Sequence, residues 1–287
     1  MLFLLWLASN LAYLWSIPIG ICFAFLAQTN YALLHEAIHG ILYPKAHINR
    51  LLGRISAAMF PTSYTLMRHT HIVHHCCNRS DHEMFDYYYS QDKIFYKHIQ
   101  WYGIVTGIYW PLIPIGCTLL ALSPSLLRNH FWQKFRSTNV LFEDLTDKDF
   151  MIMRYEILIA MVSFVSLFML LDLHWQQCLS LYLMAGFLWS TRQYVTHAFT
   201  KRDIIHGALN LQTSWLMDKF ILHGGWDLVH HQNPHLSWIH LPDMANQSAD
   251  RVAFWSQYMR LWCGPLPCKE QAPKVLARKN YTLLGKK

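Results

Sequence analysis

Residues 71–75 read His71-Ile72-Val73-His74-His75. On a helix, residues three and four apart share a face, so this stretch aims three imidazoles at one point. Working outward, the same spacing logic recurs upstream in His35-Glu36-Ala37-Ile38-His39. Downstream, Asp227-Leu228-Val229-His230-His231 repeats the spacing of 71–75, with Asp227 standing where His71 stands. Imidazole suits iron, copper, nickel and zinc. Seven converging histidines and a carboxylate are too many for one tetrahedral zinc, which takes four ligands. Two metal ions are the economical reading, and because all three clusters border strongly apolar segments, the centre is expected at a membrane surface.

The chain has 287 residues, 53% of them hydrophobic, which by length alone allows one or two soluble domains. The apolar residues are not spread evenly, however. They concentrate in Leu2 to Leu34, Ile99 to Leu122, Ile157 to Leu171 and Cys178 to Phe199, and a spanning helix needs about 20 such residues. The first stretch is long enough for two short helices broken at Pro18 and Gly20. It lacks a basic leader and a small-residue cleavage site, so it reads as a retained anchor rather than a signal peptide. No lysine or arginine occurs from Met1 to Pro44, from Ile99 to Leu127 or from Tyr155 to Thr191. By the positive-inside rule all the histidine clusters then face the cytoplasm. The net charge of +7 belongs mainly to that face, where it marks topology and favours anionic headgroups or an acidic soluble partner; no nucleic-acid partner is expected.

The expected fold is an all-α membrane protein in one domain, 1–287, with about four transmembrane helices in two hairpins. A hairpin at 2–41 delivers His35 and His39 to the inner face, and 42–98 is a cytoplasmic box segment. Residues 99–122 form a re-entrant or interfacial segment, since Pro111 and Pro114 divide it into two pieces too short to span. A polar stretch from Ser123 to Arg154 reads as a surface loop or short helix. The second hairpin, 155–199, turns at Asp172 to Gln176, and a helical cytoplasmic cap, 200–287, carries the last cluster and a lysine-rich tail that frays. Gln193 and His197 are four apart, so they share a helical face at the membrane boundary, where a polar group is costly unless paired. His197 is thus a candidate eighth ligand.

The remaining histidines carry weaker signals. His69 reads as a surface or supporting residue, and His223 joins the third cluster only if a helix runs through Gly224 and Gly225. His47, His82, His98, His130, His174, His206, His235 and His240 read as solvated, capping or interfacial. Cys76 and Cys77 follow the second cluster directly, but adjacent helical residues diverge by roughly 100 degrees, which argues against thiolate ligation. Seven cysteines without a C-x-x-C pair argue against a disulfide framework. HEAIH also matches the H-E-x-x-H signature in which two histidines hold zinc and Glu36 is the general base. That protease reading leaves HIVHH and DLVHH without a purpose. A metal-binding carrier would want ionisable groups across the membrane interior, and the apolar segments are nearly free of them.

The order HEAIH, HIVHH, a membrane hairpin ending in QYVTH, then DLVHH resembles the histidine boxes of the integral-membrane fatty acid desaturase and hydroxylase superfamily, over roughly residues 31 to 245. The resemblance implies two irons held at the cytoplasmic face by His35, His39, His71, His74, His75, His197, His230 and His231. It also implies a water on one iron held by Gln193. The segment HHQNPHLSWIHLP is similar to the proline-containing stretch after the third box. Asp227 departs from the pattern, which usually has histidine there; it reads as a ligand or as an acceptor for a ligand's second ring nitrogen.

The expected activity is oxygen-dependent di-iron oxidation of an apolar lipid chain, fatty acyl desaturation above all. Hydroxylation, carotenoid ring oxidation (a ketolase) and oxidative decarboxylation remain open within the superfamily. Trp101, Tyr102, Tyr109, Trp110, Phe187, Trp189 and Trp215 are candidate lining for the substrate, although an interfacial aromatic belt explains most of them equally well. With neither a dinucleotide fingerprint nor a cysteine set for an iron-sulfur cluster, electrons must come from an external donor. A ferredoxin, rubredoxin or cytochrome on the basic face fits.

Overall fold

A computed structural model describes residues 1–123, 144–245, 250–277 and 281. It is mostly helical. Helix α1 (Leu2–Ser9) is followed by a single 3-10 turn and then by α2 (Ser16–His39), whose 24 residues carry both histidines of the first cluster. Pro18 does not break this stretch, contrary to the expectation above. It occupies the first turn of α2, where a missing N–H is not needed, and the real break lies at Asn10–Ala12, between α1 and the 3-10 turn. Gly20 likewise lies inside α2: a Cβ there would stand 2.3 Å from Met184 Sδ, so glycine admits a close approach of another helix. Gly40, at φ 80°, stops α2 directly after His39, with its N–H on the Ala37 carbonyl.

Helices α3 (Ala46–Met59) and α4 (Tyr64–Cys77) follow, and α4 carries the 71–75 cluster. The segment 99–122 is indeed divided, into α5 (Ile94–Val105) and α6 (Leu112–Leu122). The chain turns at Gly107, whose φ of 76° suits glycine, while Pro114 sits in the first turn of α6. Helix α7 (Asp147–Leu170) opens with a capping box between Thr146 and Asp149. It returns through Leu171–His174 into α8 (Trp175–Gln193). Among the described residues, two stretches are long and apolar enough to cross a membrane, Tyr13–His39 and Asp147–Leu170. The 19-residue α8 completes the second hairpin but carries glutamines and serines along its length, and α1, with eight residues, is too short to span by itself. Of the polar stretch expected at 123–154, residues 124–143, including His130, lie outside the described residues.

The cap is not wholly helical. Besides the short helices α9 (Trp215–Phe220), α10 (Asp227–Gln232), α11 (Leu241–Met244) and α12 (Phe254–Leu261), its described residues contribute three short strands to two parallel pairs. In one, β1 (Tyr87–Tyr88) pairs with β4 (Leu266–Pro267). In the other, β2 (Asn210–Gln212) pairs with β3 (Arg251–Ala253). Strands of two or three residues are too short to show an alternating pattern, which is why the sequence reads as all-α. The tail does not fray where it is described. Cys268 donates its N–H to the Tyr88 carbonyl at 2.8 Å and Leu276 donates to Cys76 at 2.9 Å.

Two polar hubs hold α4 in place. Glu156 on α7 accepts from Ser63 Oγ (2.6 Å), Thr65 N (3.0 Å) and Arg54 Nε (2.8 Å), fixing the N-terminal end of α4. At the other end, Arg79 is 1% exposed and grips the fully buried Asp86 with both Nη atoms, at 2.7 and 2.9 Å. Arg79 also donates to the Tyr194 hydroxyl (3.1 Å) and the Thr200 carbonyl (3.0 Å), tying the end of α4 to the turn after α8. Removing one member of such a pair leaves the other charge buried and unpaired, at a cost of about 3–5 kcal/mol. Arg79→Ala is therefore expected to lower the unfolding midpoint of the detergent-solubilised protein sharply; an unchanged midpoint would contradict the role given to this pair.

Candidate metal centre

All eight histidines singled out above converge, from α2, α4, α10 and the turn after α8. They form two groups: His35, His39, His71, His75 and His230 in one, and His74, His197 and His231 in the other, with ligand-capable atoms in each group within 4.8 Å of one another. The alternation has a simple helical origin. In α4 the i, i+4 pair His71 and His75 joins the first group and His74 the second. In α10 the sense is reversed: His230 joins the first group, while Asp227 and His231, again i and i+4, face the second. Asp227 is thus not the structural counterpart of His71, although it occupies the same place in the spacing.

The first group fits a shared cation. His71 Nε2 lies 2.9 Å from His39 Nε2 and 3.1 Å from His75 Nε2, which in turn lies 3.1 Å from His230 Nε2. A ring nitrogen carries either one proton or one lone pair, so His71 Nε2 cannot make a good hydrogen bond to both neighbours. Lone pairs aimed at a shared ion satisfy all of them. Burial, reinforced by the neighbouring imidazoles, holds His71 and His75 well below the usual histidine range. Burial likewise lowers His230 to about 4, against the opposing pull of Asp227. These are neutral rings, the form that binds metal.

In the second group the outer ring nitrogens of His74 and His197 are already engaged, whereas His231 Nδ1 is buried without a hydrogen-bond partner. His74 donates from Nδ1 to Glu83 Oε2 at 2.6 Å, and His197 donates from Nδ1 to the Gly207 carbonyl at 3.2 Å. Each bond leaves Nε2 as the lone-pair nitrogen, the usual support for a ligating histidine. Burial opposes the charged form of His74, but Glu83 and Asp227 outweigh it and raise its pKa. Asp227 Oδ2 stands 3.0 Å from His197 Nε2 without the alignment of a hydrogen bond, a buried oxygen with no such partner. Burial alone would raise Asp227; His197, His231 and His230 overcome it and keep the carboxylate ionised. A lone-pair nitrogen and a carboxylate oxygen facing each other at that distance fit a metal site, and the donor set suits iron.

His197 does not lie on α8, as the spacing predicts. The helix ends at Gln193, and His197 follows in a turn closed by Thr200, whose hydroxyl donates to the His197 carbonyl at 2.7 Å. Gln193 still reaches the same cavity as His197. Glu36 is 3% exposed and its Oε2 accepts from Ser237 Oγ (3.2 Å) and Trp238 N (3.3 Å), so it anchors the loop after α10. His223 pairs with Asp218 and stacks on Trp238 rather than joining the third cluster. His69 is buried rather than at the surface, and His235 lies beside Tyr281, 5.4 Å between ring centroids, instead of in solvent. Cys76 and Cys77 pack with Ile72, Val73 and Tyr281, outside both ligand groups.

Two supporting residues carry no signal in the sequence. Glu83 sits nine residues beyond His74, past any helical spacing, and Tyr281 reaches back from the tail to hydrogen-bond His39 Nδ1.

Beside the histidines lies a cavity of about 630 Å³, within the size range of small-molecule sites. His71, His74, His197, His230 and His231 form part of its wall, and apolar residues of α4 and α6, including Leu66, Ile113 and Leu120, form another. Of the aromatic residues considered as lining, Tyr109, Trp110 and Trp189 border it, whereas Trp101 is fully buried in a separate core and Trp215 is exposed. Glu83→Gln should weaken metal binding at the three-histidine group by roughly 10- to 100-fold, read by metal titration, while Ser237→Ala should leave it unchanged. Equal affinities in the two variants would contradict the part assigned to Glu83.

The family model for fatty acid desaturases matches residues 4–261 of this chain. A comparison with curated protein sequences finds no match.

Proposed function

Because the chain belongs to the fatty acid desaturase family, we propose that it is an oxidoreductase that uses two irons and dioxygen to oxidise a lipid chain, with fatty acyl desaturation as its reaction. The observation that carries this reading is the cavity of about 630 Å³ whose wall passes from the two histidine groups to an apolar surface. His35, His39, His71, His75 and His230 would hold one iron, and His74, His197 and His231 the other. Asp227 would ligate the second directly or act on it through a neighbouring histidine, and Gln193 would hold a water. Bound there, the irons would supply the oxidising power needed to break an unactivated C–H bond.

The chain's own residues would do the rest. Leu66, Ile113 and Leu120 would receive the alkyl chain and exclude water, and Trp110 and Trp189 would set its height against the histidines. Glu83 and Gly207 would hold the rings of His74 and His197 in one orientation. Glu36 is committed to Ser237 and Trp238, which disfavours the zinc protease reading, where it would activate a water. Helices α2 and α7 are read as membrane spans, within the two-hairpin topology, with the centre on the cytoplasmic side. Electrons would come from a ferredoxin, rubredoxin or cytochrome docking on the basic face.

The test is lipid analysis of cells with and without the protein, alongside the iron content of purified material. An added double bond and two irons per chain are expected, both lost in His230→Ala. Hydroxylated, ketolated or shortened products would reassign the reaction within the family, and an iron-loaded protein that leaves every lipid unchanged would overturn it. Asp227→Ala is expected to cost roughly 10- to 100-fold in metal affinity or activity. Glu36→Gln should keep its iron and part of its turnover; complete loss of turnover at full iron occupancy would count against this assignment.

A further inference from the structure

Arg192 lies in the last turn of α8 and borders the same cavity. It is the only lysine or arginine among the described lining residues, against three carboxylates, Glu36, Glu83 and Asp227. Each of those acids has a neighbour already: Glu36 has Ser237, Glu83 has His74 and Asp227 faces His197. Arg192 makes one hydrogen bond, from Nε to Gln28 Oε1 at 3.1 Å. It forms no ion pair with any described residue, although Tyr31 and Asp227 are near enough to act on its charge. The partner Gln28 is itself buried, and its Nε2 has no hydrogen-bond partner. Four of the five guanidinium N–H groups are therefore left for something other than protein.

A cation at the edge of an apolar cavity, on a helix of the membrane hairpin, is costly unless something pairs with it. Such residues mark substrate paths. The planar fork of a guanidinium matches the two oxygens of a carboxylate, whereas a thioester or an alcohol offers no charge. A dianionic phosphate would meet the three acids that share the wall. We propose that Arg192 binds the carboxylate of a long-chain free acid, which makes an unesterified fatty acid the substrate class. This rests on the reading of the cavity as a lipid site.

The experiment is equilibrium binding of palmitate, hexadecanol and hexadecyl phosphate to the full chain in detergent, without added metal. Palmitate is expected to bind roughly 10- to 100-fold more tightly than hexadecanol, as hydrogen bonds to a charged group would give, and more tightly than the phosphate. In Arg192→Gln that preference should collapse while hexadecanol binding stays as in wild type, which also shows that the variant folds. Arg192→Lys should retain part of the preference. Equal binding of acid and alcohol by the wild type overturns the carboxylate site and leaves the lipid cavity standing. Tightest binding of the phosphate reassigns Arg192 to another head group, and binding of none of the three overturns the cavity reading with it.

Discussion

The constraint on which everything else depends is the crowding of neutral ring nitrogens around His71 Nε2, with His39 Nε2 at 2.9 Å and His75 Nε2 at 3.1 Å. Bringing these imidazoles together is poorly rewarded in hydrogen bonding, because one nitrogen cannot serve both neighbours. The surrounding fold has to impose it. It does so by clamping α4 at both ends, through Glu156 at the start and the Arg79–Asp86 pair at the finish. Gly40 ends α2 just beyond His39, and Tyr281 fixes the outer nitrogen of that ring.

The separation into two groups follows from helical geometry. An x-x-x-H-H segment has to divide its side chains between two directions, since adjacent residues diverge by roughly 100 degrees. Helices α4 and α10 make this division in opposite senses, so each group receives an i, i+4 pair from one helix and a single histidine from the other. That arrangement explains why a carboxylate is accommodated at Asp227. It faces the group with fewer imidazoles, where His197 Nε2 stands opposite its oxygen.

The convergence of the eight histidines was legible in the sequence because every one except His197 lies in a short helical cluster, where spacing determines direction. His197 was singled out by its distance from Gln193, yet it sits in a turn closed by Thr200, so its place beside His74 and His231 was reached from an inexact geometry. The two-piece character of 99–122 was legible from its prolines, although the turn itself is made by Gly107. Glu83, Tyr281 and the Arg79–Asp86 pair were not legible, since all depend on contacts across loops that follow no period. The strand pairs at 87–88 with 266–267 and 210–212 with 251–253 were too short to announce themselves. In the first stretch the sequence read two hairpin helices where α1 has only eight residues and packs beside α2.

The cavity joins the polar centre to an apolar wall on α4 and α6, as the proposed oxidation of a lipid chain requires. This account stands or falls on the placement of metal. The most direct measurement is anomalous diffraction at the iron edge from crystals of the iron-loaded protein. The account predicts two peaks, one enclosed by His35, His39, His71, His75 and His230 and the other beside His74, His197, His231 and Asp227. A single peak, or zinc alone held between His35 and His39, would contradict it.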